Sequence, residues 1–384
     1  MIPIWTDAWT RWPRPSKSEP MRDDRSYIEA VRAAGKARII SLVKQILPDP
    51  KAYHTPGYYH CRNPAREDRN VGSFWVLTTG EATGGWRDMA TGEGGDVIDL
   101  VALSLRLSRG EALHWLADWT GIRRLSEPMR QARVTQWRAE ADQAAMQAAQ
   151  DLPTLRRRAK ALWLAGLPIE PPAAGAEPSP AWRYLTEARA LNLPAIGGAP
   201  SLLRWLPRHR HRESGLERPC IVAGIVDVAG ALIGVHRTWL RPDGRDKAQV
   251  RPARKVWPRG CAGGLIWLTR GGSRHGPIEA GRRGETSIVI LGEGIEDALT
   301  GGLGEREARS AAFVSLAYLP AVPDQPCAEG YVLLRDNDWH APDAIAQFEA
   351  GLRHISSHGK PTEWIGSPHG KDFNDLAQAE ARAI

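Results

Sequence analysis

The chain has 384 residues, room for two or three domains, and a 42% hydrophobic content that can build a real core. Its 51 Lys+Arg against 44 Asp+Glu leave a formal charge of +7, which permits a polyanionic partner without requiring one. The four cysteines (Cys61, Cys220, Cys261, Cys327) lie far apart with no Cys-x-x-Cys, which argues against a disulfide scaffold and a cysteine-rich zinc site and for reduced thiols in the cytoplasm.

The opening MIPIWTDAWTRWPRP lacks a signal peptide's order of basic start, apolar core and small-residue cleavage site, and residues 1–22 read as irregular. No stretch reaches the roughly 20 continuous apolar residues that span a bilayer, so no membrane partner is expected. Over 24–47, Ile28, Val31, Ile39, Leu42, Val43 and Ile46 predict one helix, stopped by Pro48 and Pro50. Short aromatic runs between 57 and 90, broken by Gly and Pro, predict two or three small antiparallel strands. Asp96 is placed to cap a helix from Val97 to Leu107, and Ser108 with Glu111 has capping-box spacing for a second helix.

Residues 122–168 read as helical and charged, 168–180 as a linker, and 180–190 as a resumed helix. Arg204, Arg208, His209, Arg210, His211 and Arg212 form a basic cluster, read either as a solvated loop or as a phosphate-contacting surface. Ile221–Val226 and Leu232–Leu240 predict two strands joined by a hairpin turn at Asp227–Gly230. Arg237, Arg241, Arg245, Lys247, Arg251, Arg254, Lys255 and Arg259 then concentrate positive charge locally. From 286 onward, strands at 287–291, about 312–316, 331–335 and about 362–365 alternate with helices after 294 and 341. That order predicts a mostly parallel α/β sheet with flanking helices.

In such a sheet the loops after the strands converge at one edge. Glu293 follows the first of these strands, Asp336 and Asp338 follow a later one, and Asp372 and Asp375 come from a third segment. Clustered carboxylates repel unless protonated or neutralised, and a divalent cation that bridges to substrate phosphates is the usual neutraliser. Each acid alone also reads blandly, as a helix-terminal residue or a solvated turn; Glu296 reads as structural, and Asp297 stays open. Gly292 and Gly294 allow a tight turn and close backbone approach.

Gly292-Glu293-Gly294, Asp297-Ala298-Leu299 and Asp336-Asn337-Asp338 resemble the Toprim domain of bacterial primases, topoisomerases and related nucleases. The resemblance implies that Asp336 and Asp338 bind Mg²⁺ (or Mn²⁺), that Glu293 is catalytic, and that Glu293, Asp372 and Asp375 are further metal-ligand candidates. Trp339-His340-Ala341-Pro342 departs from the glycine that often follows in that family. Upstream, Gly234–Gly244 resembles the stretch before the Toprim domain in primase-like proteins of phages, plasmids and integrated elements. It implies a basic subdomain in which Lys255, Arg254 and Arg237 contact phosphates, with Arg208 and Arg210 as further candidates.

Residues 58–105 resemble the zinc-binding domain at the start of bacterial primases. Cys61 matches that family's first ligand position; the second falls on Pro64, unless His60 or a shifted residue substitutes, and the later pair falls on Asp88 and Thr91, so no structural zinc is expected. The small module then reads either as a structural remnant or as a residual nucleic-acid contact through Arg62, Arg66, Arg69 and Arg87.

The expected organisation is a degenerate zinc-ribbon-like α+β module over 1–121, a helical region and linker over 122–197, a basic strand-rich subdomain over 198–285 and a Toprim domain over 286–384. The expected function is metal-dependent nucleotidyl transfer on single-stranded DNA, making primers from nucleotides for a mobile element. A Toprim nuclease and a non-catalytic replication accessory protein are the alternatives. The chain has no Gly-rich GK[ST] signature, so a replicative helicase would be a partner on a separate chain.

Overall fold

The chain divides into two compact units, 1–147 and 148–384. The computed structural model describes residues 25–383 apart from 56, 67, 69–70, 81, 259, 338–341 and 368–369; residues 1–22, Arg69 and Asp338 lie outside the described residues.

The first unit opens with α1 (Arg25–Ala37) and α2 (Ile39–Ile46), two helices where the apolar spacing predicts one. The backbone leaves helical geometry at Arg38, just after Gly35, whose backbone is pressed against Leu116 and Val97. The break lets Ile39, Leu42, Val43 and Ile46 turn into the core. Strands β1 (Tyr53–Thr55), β2 (Tyr58–Cys61), β3 (Phe74–Leu77), β4 (Trp86–Asp88) and β5 (Gly94–Gly95) pair antiparallel in chain order. Alternation buries Tyr59, Cys61, Phe74, Val76 and Trp86 and turns Tyr58 and Trp75 to the other face. Helices α3 (Val97–Leu105) and α4 (Arg109–Thr120) start at Asp96 and Ser108, each with a complete capping box.

Asp88 is fully buried and accepts hydrogen bonds from Asn63 Nδ2 (2.6 Å), Ala90 N (2.9 Å) and the Arg66 guanidinium. Arg62 grips Asp49 with two parallel bonds of 3.0 Å. Burial pushes the Cys61 thiol up to about 12. Arg62 and Arg66, read as nucleic-acid contacts, thus tie the module to itself.

The division falls within α5 (Glu127–Leu164). The second unit continues with β6 (Leu167–Pro168), α6 (Pro180–Arg183), β7 (Leu203–Arg210), β8 (Glu217–Val226), β9 (Leu232–Trp239) and β10 (Arg254–Trp257). These strands make an antiparallel sheet in the order β10-β9-β8-β7-β6. Arg204, Arg208, His209 and Arg210 lie on β7, which pairs with β8, and not in a loop. The β8–β9 hairpin turns at Asp227–Gly230, with Gly230 at φ 86.

The last part comprises β11 (Ile266–Trp267), α7 (Pro277–Arg282), β12 (Ser287–Gly292), α8 (Ile295–Gly304), β13 (Arg309–Ala312), β14 (Ala328–Arg335), α9 (Pro342–Ser356), β15 (Thr362–Gly366) and α10 (Phe373–Ala383). Its sheet has the order β11-β13-β12-β14-β15; every pair is parallel except β11·β13. The mixed α/β class with a mostly parallel C-terminal sheet matches the sequence reading. Edge strand β11 comes from the segment read as basic subdomain, and the backbone bridge Val226–Leu265 ties the two sheets together.

β13 ends earlier than its apolar run suggests. Phe313 N donates to Gly292 O and Val314, at φ 75, donates to Glu293 O, so the chain peels away onto the turn after β12. Val289, Leu291, Ala311, Phe313, Tyr331 and Leu333 fill one core of this sheet, while Ile295, Ala298 and Leu299 of α8 pack with Ile221, Ala223 and Ile225 of β8 in another. Among the described residues no helix is long and apolar enough to cross a membrane.

Candidate active site

β12 and β14 are neighbours whose connections leave in opposite directions, α8 toward β13 and α9 toward β15. Such a switch point opens a crevice at the carboxyl ends of the strands. Glu293 follows β12 and Asp336 follows β14, so the switch point brings both to one cavity of about 390 Å³. Asp297, Asp372, Lys371, Arg254, Lys255 and His236 also line it.

The glycines around Glu293 supply space rather than a left-handed backbone. A Cβ on Gly292 would stand 2.9 Å from Ala298 N and 3.0 Å from its Cβ, so only glycine lets α8 start this close to the strand. Gly294 is the N-cap of α8, in extended conformation with no side-chain cap. The helix N-terminus, with its unsatisfied N–H groups, therefore borders the cavity at Gly294 and Ile295. Glu293 Oε1 accepts from Leu316 N at 3.3 Å, which fixes its carboxylate at the cavity wall.

Asn337, between the two aspartates, laces the later loops together. Its N–H donates to Lys371 O (2.8 Å), and its side-chain amide to Ser367 O (3.0 Å) and Gly370 O (2.8 Å). This clamp sets Asp372 beside Asp336. Asp375 does not line the cavity: its carboxylate accepts from Lys371 N at 2.7 Å and closes its own loop.

Asp297, left open by the sequence, belongs to the cavity. Burial, then the nearby Asp372 and Glu296 carboxylates, push it up to about 6, against the Asn374 N–H that its Oδ1 accepts. Glu296, its neighbour, is buried and structural: Tyr184 Oη donates to it at 2.5 Å and Lys247 Nζ lies 3.1 Å away. Despite burial, the Lys247 ammonium and the Tyr184 hydrogen bond hold this carboxyl well below the usual range. Burial and the Arg254 charge lower His236 to about 4, so it is neutral near pH 7.

The β9·β10 register separates the cations that the sequence groups together. His236 faces Val256 and Thr238 faces Arg254, while Arg237 pairs with Lys255 on the opposite side of the sheet. Arg254 thus shares the cavity side with His236. Arg237 stacks over Trp239 and Trp257, centroids 5.1 and 6.0 Å away, and does not line the cavity. Lys255 borders the cavity, but its ammonium pairs with Glu213. Arg208, on β7, pairs with Glu217, and Arg210 is exposed on the same strand. Lys247, Tyr184 and Asn337 had no distinguishing sequence signal; their roles come from contacts between distant segments.

Four carboxylates, Glu293, Asp297, Asp336 and Asp372, line the cavity, and carboxylate oxygen is the ligand type of Mg²⁺ and Mn²⁺. Among the described residues no three His, Cys, Asp or Glu side chains form a closed metal cage. Carboxylates spaced singly around a cavity suit Mg²⁺, which takes one or two protein carboxylates and keeps several waters.

Residues 153–268 match the model of a domain of unknown function (DUF7146). No curated protein matches the chain. Among solved structures, the chain is similar to the zinc-binding and RNA polymerase domains of Aquifex aeolicus primase, at 16% identity over 93% of this chain and 84% of that one, with a TM-score of 0.36. It is similar to a DnaG primase catalytic domain bound to single-stranded DNA, at 17% identity over 60% of this chain and 78% of that one, TM-score 0.36. It is also similar to the primase fragment of the bacteriophage T7 primase-helicase protein, at 12% identity over 51% and 68%, TM-score 0.31.

Proposed function

We propose that the chain is a primase-like nucleotidyltransferase that builds short primers on single-stranded DNA in the cytoplasm. The observation that carries this reading is the meeting of Glu293 and Asp336 at one switch-point cavity, with Asp297, Asp372, Arg254 and a helix N-terminus around it. In nucleotidyl transfer a 3′-hydroxyl oxygen attacks the α-phosphorus of the next nucleotide, the bond to pyrophosphate breaks, and the hydroxyl proton leaves. Asp336 and Asp338 would hold Mg²⁺, with water and the substrate phosphates completing its shell. The ion would supply charge neutralisation for the triphosphate.

The chain's own groups do the rest. Glu293, fixed by the Leu316 N–H, takes the hydroxyl proton or orients the group that does. Arg254 and the α8 N-terminus offset phosphate charge as it shifts to the leaving group. Neutral His236 adds no further positive charge. The mobile-element setting and a helicase on a separate chain belong to the same proposal.

Labelled nucleotides with mixed single-stranded DNA templates and Mg²⁺ or Mn²⁺ test it. Metal-dependent oligomers that vanish in D336N support it. Shortened templates would favour a nuclease, and DNA binding indifferent to D336N, without product, an accessory binding protein.

A further inference from the structure

A second cavity, of about 800 Å³, opens where the parallel strands of the C-terminal sheet begin, the edge opposite Glu293 and Asp336. It shares no lining residue with the acidic cavity. Its walls are the segment before β7, the loop between β11 and α7, and the loop between α8 and β13. The volume lies within the roughly 300–1,000 Å³ usual for small-molecule sites.

Three features define what it can hold. One wall is apolar, from Leu202, Val226, Trp267 and Ile278. The rim is bare backbone: Gly197 and Gly198, at φ of 82 and 116, and Gly276 all have open space where a Cβ would stand. Two exposed cations, Arg270 and Arg306, stand at the cavity with no carboxylate partner among the described residues. An independent sign comes from Trp267: the residue is only 5% exposed, and its indole N–H has no acceptor among the described residues. A buried donor left without an acceptor is costly, so this wall is short of a partner.

We propose that this cavity is a second binding site, for a nucleoside phosphate, that works without a divalent metal. The base lies along the apolar wall, with Glu307 at the cavity to accept hydrogen bonds from its edge. The bare glycine rim lets the ligand approach the backbone, and Arg270 and Arg306 take the phosphates by charge-assisted bonds.

Calorimetric titration of the full chain with ATP in EDTA, and with tripolyphosphate as the control, tests this. ATP should bind 1:1, at least tenfold tighter than tripolyphosphate. The double variant R270E/R306E should weaken it tenfold or more, and D336N should leave it unchanged. Gly276 has φ −64 and open space around its Cβ position, so G276F can fill the cavity without backbone strain and should also weaken binding. Absence of binding at millimolar ATP would overturn the proposal. So would equal affinity in G276F and R270E/R306E, both checked by thermal melting, or tripolyphosphate binding as tightly as ATP. Loss in D336N alone would assign the nucleotide to the acidic cavity and overturn this site while leaving the catalytic reading intact.

Discussion

Asn337 donates its backbone N–H to the carbonyl of Lys371 at 2.8 Å, and so binds the loop after β14 to the loop before α10. With its side-chain amide reaching Ser367 O and Gly370 O, this one residue joins the Asp336 and Asp372 segments. N337A removes the two side-chain bonds and leaves the backbone bond. We expect a stability loss of about 1–2 kcal/mol. Product formation should need more Mg²⁺ for half-maximal rate, read by metal titration of the activity. An unchanged metal requirement would mean that the clamp does not set the Asp372 position.

Glu296 is 9% exposed and receives both Tyr184 Oη and Lys247 Nζ. Removing one member of a buried ion pair leaves the other charge uncompensated, so E296A should destabilise by about 3 kcal/mol. In a double-mutant cycle with K247M the two losses should not add. Strict additivity, measured by urea unfolding, would show that the pair is not coupled.

Gly292 has no room for a methyl group beside Ala298. G292A should cost about 1–3 kcal/mol through overpacking. Because the clash pushes on the first turn of α8, it should lower activity more than a surface substitution of equal stability cost, such as one on the exposed face of α9. Activity loss in step with stability loss alone would contradict this.

Asp297 titrates at about 6 in the folded chain against an ordinary 3.8. The folded state holds the proton more tightly, so stability from this group is full below about pH 4 and is lost as pH rises through 6. The shift corresponds to up to about 3 kcal/mol. D297N keeps an oxygen for the Asn374 N–H and removes the charge. In metal-free buffer its melting temperature should exceed the parent's at pH 8, and the gap should close toward pH 4. His236 works in the opposite sense: its value falls from 6.5 to about 4, so its contribution is present above 6.5 and lost on acidification. The two contributions oppose each other between about pH 4 and 6, so the single variants must be compared. A D297N gap independent of pH would refute the Asp297 assignment.

Local signals carried much of this fold. The capping boxes at Asp96 and Ser108 need only residues three apart, and both formed. The alternating strands and helices after 286 placed Glu293 and Asp336 at the same sheet edge, where the structure has them. Register is a different matter. Arg237, Arg254 and Lys255 look equivalent in sequence, yet β9·β10 pairing puts Arg237 on one side and Arg254 on the other. Composition made the Arg-rich 204–210 run resemble a loop, whereas its ladder to β8 makes it a strand. The apolar Phe313-Val314 pair extended β13 on paper, but their N–H groups go to Gly292 and Glu293. Asp297 and Asn374 lie far apart in the chain, so their contact was beyond any local pattern.

The most direct test is primer synthesis on single-stranded DNA by the parent chain, E293Q, D336N and R254A, with DNA retention measured in parallel. Metal-dependent oligomers are expected from the parent, and a loss of about 100-fold or more in E293Q and D336N. R254A should lose less, and DNA retention by E293Q and D336N should be unaltered. Parent-level synthesis by E293Q and D336N would show that the chemistry, if present, lies outside this cavity, and would contradict the account.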